Sequence, residues 1–249
     1  MRNARGGTVL AFTLLFTTMS SAGLAYILPA SAILESVGER RKALGFDALV
    51  LRGRFLNPKT NVTEKTVWKL VKPGEGVRTE IKGPHTTQIS LLKNKKSYKF
   101  SPGVPPQKGV PLKADLELDF LASTKGDPGG KRGRAFLSAH KIDRKVVSLS
   151  RMNKRIIWVI GALEGDLESP QLWIDKALRV PVRLIYGDET SGDKLDIQWL
   201  GFGSPQTREW HPRQVDTYRN DELVERLVFH KVLINPSVDA DLLSPPKIK

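Results

Sequence analysis

Four histidines, His85, His140, His211 and His230, are the first side chains to test for chemistry. None stands four residues from another, and none belongs to an HExxH pattern. Those are the spacings that turn two imidazoles toward one metal ion on a helix face. No metal site and no cofactor are therefore expected. There is no GxSxG elbow, and Gly201-Phe202-Gly203 lacks the third glycine and the strand-to-helix setting of a dinucleotide loop. Ser90-Leu91-Leu92-Lys93 matches the Ser-x-x-Lys spacing of an acyl-transfer nucleophile, but it falls in strand-like sequence without companion motifs. Asp221 and Glu222 are adjacent carboxylates at a turn, where solvation is their ordinary role. The expectation is a protein that is not an enzyme.

Two other residue classes remain. Between Lys125 and Arg155 stand ten basic residues and only two acids. Within this stretch Lys131, Arg132, Arg134, Arg144 and Lys145 form a candidate basic patch, suited to an anionic membrane or an acidic partner. Only Phe136 interleaves it, whereas single-stranded nucleic acid wants several stacking rings, so nucleic acid is not an expected partner. Tryptophan is the second class. Trp68, Trp158, Trp173 and Trp199 each fall in a strand-like segment. Residues two apart on a strand share a face, so these rings could line one concave surface with Leu70, Ile81, Leu91, Tyr98, Phe100, Ile160 and Val182. Either helices fill that concavity as ordinary core, or they leave room for an apolar ligand.

The elements that would hold these residues are mostly short strands. Ile156–Tyr186 reads as three of them, 156–160, 171–175 and 180–186, with links too short for parallel crossovers, which makes an antiparallel meander. Upstream, Thr66–Val71 pairs with 77–82 through Lys72-Pro73-Gly74-Glu75-Gly76, and Gln88–Leu92 pairs with 97–100 across a lysine-rich tip. Downstream come Arg144–Arg151, Lys194–Leu200, and the pair Gln214–Arg219 with Glu222–Ile234. Ile33–Phe46 places Ile33, Leu34, Val37 and Leu44 at helical spacing. Leu112–Ser123 is read as a second helix, Ala135–His140 as a helical turn, and Ser101–Pro111 as irregular because of its Pro and Gly. Roughly ten strands with two or three helices, counted by these pattern rules, give an α+β fold with an antiparallel sheet.

The chain has 249 residues, a formal charge of +14 and no cysteine. Arg2 and Arg5, the apolar run Thr8–Phe16 and the Ala30-Ser31-Ala32 pattern predict a signal peptide over 1–32, leaving one domain over 33–249. An exported chain without cysteine has neither disulfides nor an acylated cysteine at the cut, and relies on its core.

Several segments then match a known pattern. Trp68-Lys69-Leu70-Val71-Lys72-Pro73 resembles a hairpin of the LolA-like periplasmic lipoprotein carriers, as do Ser90–Phe100, Pro170–Arg183 and the closing Asp241–Pro246 segment. The resemblance implies an incomplete antiparallel β-barrel with helices packed in its concave side as a lid. It implies a monomeric carrier or chaperone in the periplasm that binds lipoprotein acyl chains or another lipid. An inner-membrane transporter and an outer-membrane acceptor would be its partners. Two departures stand out. Lys72 occupies the place where the family has a lid-controlling arginine, and lysine lacks that planar fork. The stretch 101–141 reads as a basic insert. The competing expectation is an interaction protein of the cell envelope that docks through the basic patch.

Overall fold

The computed structural model describes residues 27–43, 45, 47–94, 96–102, 110–111, 131–189, 191–202 and 211–244. Thirteen strands form a single antiparallel sheet in the order β6-β5-β4-β3-β2-β1-β13-β12-β11-β10-β9-β8-β7. Two meanders build it. The first comprises β1 (Leu49–Leu56), β2 (Thr63–Lys72), β3 (Gly76–Lys82), β4 (Thr87–Lys93), β5 (Lys96–Phe100) and the two-residue β6 (Val110–Pro111). The second runs through β7 (Val147–Met152), β8 (Arg155–Ile160), β9 (Gln171–Asp175), β10 (Val180–Gly187), β11 (Lys194–Leu200), β12 (Gln214–Arg219) and β13 (Glu222–Ile234). They join where β1 lies beside β13, so the last long strand closes onto the first. β6 and β7 are left at the two edges, and the barrel is incomplete.

Helix α1 (Ala30–Ala43) precedes β1, and α2 (Lys131–Ala139) lies between the edge strands β6 and β7. The two helices pack against each other. Gly133 makes the close approach possible, because a Cβ at that position would lie 2.9 Å from Leu34 Cδ2. Ile33, Leu34 and Val37 of α1 join Phe136 and Leu137 of α2, and together they cover Trp158, Ile160, Leu172, Ile174, Leu184 and Trp199. This defines the inner face of the sheet.

The meander read from Ile156–Tyr186 forms as expected, and each strand of the other hairpins falls within a few residues of its predicted position. Three expectations change. Val110–Pro111 lies in the stretch read as irregular, yet it pairs with β5. Proline is tolerated there because β6 is an edge strand with one neighbour. The helical turn expected at Ala135–His140 is a full helix starting at Lys131. The helix expected over Leu112–Ser123 lies outside the described residues, as does most of the N-terminal segment.

Candidate functional site

Cross-strand pairing fixes which side chains share a face, because directly opposed residues project to the same side. From the helix-covered residues the inner face can be followed strand by strand. Trp158 stands opposite Ile174, and Leu184 opposite Ile197. Trp199 pairs with Val215, Val215 with Leu227, and Leu227 with Phe55. Beyond β1 the inner row continues through the Gly53–Val67–Ile81 and Leu49–Val71–Val77 rows.

The eleven residues predicted to line one concavity fall on both sides of this sheet. Ile81, Trp158, Ile160 and Trp199 belong to the inner face. Trp68, Leu70, Leu91, Tyr98 and Phe100 do not. They share an outer-face cluster with Val50 and Leu233, capped by Val238, Leu242 and Leu243. Trp173 and Val182 also face outward, packed with Ile157, Val159, Ala162 and Val180. A single wall containing Trp158, Ile160, Trp173 and Val182 is therefore not what the structure builds. The reason is that Val159, between Trp158 and Ile160, is the residue opposite Trp173.

Alternation places Trp68 and Leu70 on one side of β2 and Val67 and Val71 on the other, and does not say which side is inward. What the alternation missed is the C-terminal segment. A 3-10 turn, Ala240–Leu243, is capped by Asp239, whose carboxylate accepts from the Asp241 N–H at 2.9 Å. It lays Leu243 on the outer face of β3, and Arg78 Nη1 donates to the Leu242 carbonyl at 3.1 Å.

The inner face has two halves. Over β8–β11 the helices fill it, with Ile33 at 0% exposure. Over β1, β2, β3 and β13 a second apolar cluster, Leu49, Leu51, Val67, Val71, Val77 and Phe229, contains no residue of α1 or α2. Gly53 lets the Phe229 ring lie flat against β1, since a Cβ there would meet Phe229 Cδ1 at 2.9 Å and the Val228 carbonyl at 2.7 Å. Val215 packs against both clusters and links the halves. At the border stands Glu225, opposite Thr217 on the same face. Loss of surrounding water raises its carboxyl pKa above the ordinary value, and the charge of Lys65 only partly offsets this.

The remaining expected site residues are dispersed. Lys72 bonds Glu75 Oε2 at 2.9 Å within its own hairpin turn. Lys131 and Arg132 are exposed at the start of α2, Arg134 is half-buried, and Arg144 and Lys145 project from the turn before β7. The four histidines do not converge, and no group of three metal-ligating side chains occurs among the described residues. Among those residues no helix is long and apolar enough to cross a membrane.

The outer face over the second meander is held by charge. Arg183 meets Asp196 with two bonds of 2.9 and 2.8 Å and stacks 4.8 Å from the Trp173 ring. Arg226 meets Asp216 in the same two-pronged way at 2.8 Å. Asp175 accepts from Arg155 and from the Ala177 and Leu178 N–H groups, which fixes the turn into β10. Asp175 and Arg183 of the Pro170–Arg183 segment thus have structural partners.

No protein-family model matches the sequence, and no curated protein matches it. Solved structures do match the fold. A LolA superfamily protein from Nitrosomonas europaea aligns over 87% of this chain and 98% of its own, with a TM-score of 0.51 at 15% identity. A domain described as outer membrane lipoprotein-sorting, from Vibrio parahaemolyticus, covers 85% of this chain and 97% of its own, with a TM-score of 0.52 at 11% identity. A DUF1329 family protein from Desulfovibrio piger covers 90% and 100%, with a TM-score of 0.51 at 9% identity. The chain has a LolA-like fold.

Proposed function

We propose that this protein is a non-enzymatic carrier or chaperone of the cell envelope that holds an acyl-chain-like cargo against the inner face of its sheet. The observation that carries this reading is the apolar inner cluster over β1, β2, β3 and β13, which has no member from either helix. A LolA-like fold whose helices cover one half of the inner face leaves the other half as the natural seat for apolar cargo. These side chains are withdrawn from solvent, so cargo entry requires the packing around them to open. A chain of about a dozen methylenes supplies roughly 10 kcal/mol of gross burial free energy toward that opening. Of the residues nominated from sequence, Ile81 borders this surface, while Trp158, Ile160 and Trp199 sit at the helix-filled end.

For a lipoprotein cargo the donor would be an inner-membrane transporter, the acceptor an outer-membrane protein, and the compartment the periplasm. The protein would travel as a monomer after removal of its N-terminal leader. The test is purification without detergent, mass spectrometry of extracted lipids, and titration with a fluorescent fatty acid. Saturable binding weakened by Phe229→Ala and unchanged by the outer-face substitution Trp173→Phe is expected. No co-purified lipid together with no saturable binding would sink the proposal.

A further inference from the structure

The outer face carries a second surface, which the alternation of β1, β2, β3 and β13 assembles from residues far apart in sequence. Arg52 stands opposite both Trp68 and Lys231, and Arg54 opposite Thr66, whose other neighbour is Lys82. A bulge in the β1–β13 pairing at Arg52/Gly53 leaves His230 as the extra residue. It turns into the same groove, of about 470 Å³, floored by Trp68 and bounded by Leu242.

What sets this surface apart is its lack of counter-charge. Three carboxylates on the neighbouring outer-face strands are already committed, Glu80 to Arg78, Asp216 to Arg226 and Asp196 to Arg183, each at 2.8 Å, while Glu64, near the start of β2, accepts from the Asn57 amide at 2.8 Å. Arg52, Arg54, Lys82, Lys231 and His230 are all exposed, and among the described residues none has an ion-pair or hydrogen-bond partner. Only Asp239 and Asp241 of the C-terminal segment stand exposed beside Leu242, fewer acids than the cations they face. Strands about 5 Å apart set these cations side by side on a rigid sheet.

We propose that this outer face docks the protein on an anionic lipid bilayer. Arg52, Arg54, Lys82 and Lys231 would meet the headgroups, with the Trp68 indole and Leu242 at the interfacial level that amphipathic rings favour. The surface offers one indole, half-buried in the sheet, where single-stranded nucleic acid needs a series of exposed rings. Its cations outnumber the acids beside them, and they are not interleaved in the alternating pattern that a specific protein partner reads. This surface lies on the opposite side of the sheet from the cargo seat, and it is distinct from the basic stretch around α2.

The test is co-sedimentation of the purified protein with vesicles of mixed phosphatidylglycerol and phosphatidylcholine, and with pure phosphatidylcholine, at low and high salt. Binding only to the anionic vesicles, weakened at high salt, is expected. Each neutralised cation should cost about fivefold, so R52Q/K82Q/K231Q should lower affinity about a hundredfold. K131Q/R132Q should stay within about twofold of wild type on the same scale. Since the substituted side chains are exposed, an unchanged melting temperature shows that the variants remain folded. Equal binding to neutral vesicles, no anionic binding at low salt, or loss in K131Q/R132Q but not in the triple variant would each overturn the proposal. Fatty-acid titration of the triple variant separates docking from cargo binding. It should match wild type, and a parallel loss of fatty-acid binding would also overturn a separate docking face.

Discussion

At the scale of single residues, the polar groups of this protein work as fasteners. Asp175 is 1% exposed, yet it receives one guanidinium bond and two backbone N–H bonds, which is why a carboxylate can be buried there. Asp175→Ala removes all three and leaves two turn N–H groups without an acceptor. A loss of about 3 kcal/mol in urea unfolding is expected, with fatty-acid binding unchanged once the variant is folded. Glu225 acts in the opposite sense. Partial loss of surrounding water raises its carboxyl pKa above the ordinary 4.5, so the fold disfavours the charged form, but only weakly because the side chain keeps contact with solvent. That penalty is absent below the unfolded value, grows as pH rises from the unfolded toward the raised folded value, and is complete above it. Glu225→Gln should therefore be more stable than wild type at pH 7 and indistinguishable from it below about pH 4. Melting curves across that range check this, and a stability gap that persists in acid would contradict it.

At the scale of elements, the strands were legible because their composition is β-branched and aromatic and their turns are marked by Gly, Pro and Asn. The facing of the strands was legible only in part. β9 is buried along its whole length, from Gln171 to Asp175, and β8 from Ile157 to Ile160. A strand covered on both sides shows no alternation from which to choose a face. On β2 both sides carry apolar residues, Trp68 and Leu70 on one and Val67 and Val71 on the other, so alternation alone does not choose the inner one. The cover that decides the matter comes from Leu242 and Leu243, some 170 residues later in sequence, and no local pattern announces it. Helix α1 bears on processing as well. Cleavage after Ala32 would cut within it, separating Ala30, 4% exposed, and the Pro29 carbonyl that accepts from Ala32 and Ile33. It would also place a charged amino group on the fully buried Ile33. Small-residue pairs at Ser20 and Ala22, and at Gly23 and Ala25, offer cuts that spare the helix. If a leader is removed on export, the mature N-terminus is expected before Leu28, which intact-mass measurement would show. A mature chain beginning at Ile33 would refute this.

At the scale of the whole molecule, one sheet separates two apolar surfaces that are closed by different means. Helices α1 and α2 cover the inner face over β8–β11, while a short C-terminal segment closes the outer face of the first meander. Inner closure must yield if cargo is to enter, whereas outer closure has no such demand and can be permanent. Leu243, at 2% exposure, is the anchor of that outer cover, with Leu242 and Val238 beside it and Arg78 holding the Leu242 carbonyl. Truncation after Ser237 removes these contacts and uncovers Val50, Leu70 and Leu91 together with the Trp68, Tyr98 and Phe100 rings. A loss of about 3 kcal/mol is expected from the anchoring leucines alone, along with new binding of a hydrophobic dye and concentration-dependent self-association. Leu243→Ala should give a smaller change of the same sign. In both variants the inner face keeps its residues, so fatty-acid affinity should hold under conditions where the protein remains folded. If truncation instead abolished fatty-acid binding while leaving stability intact, the cargo would lie on the outer face, and Trp68, Tyr98 and Phe100 would be its lining after all.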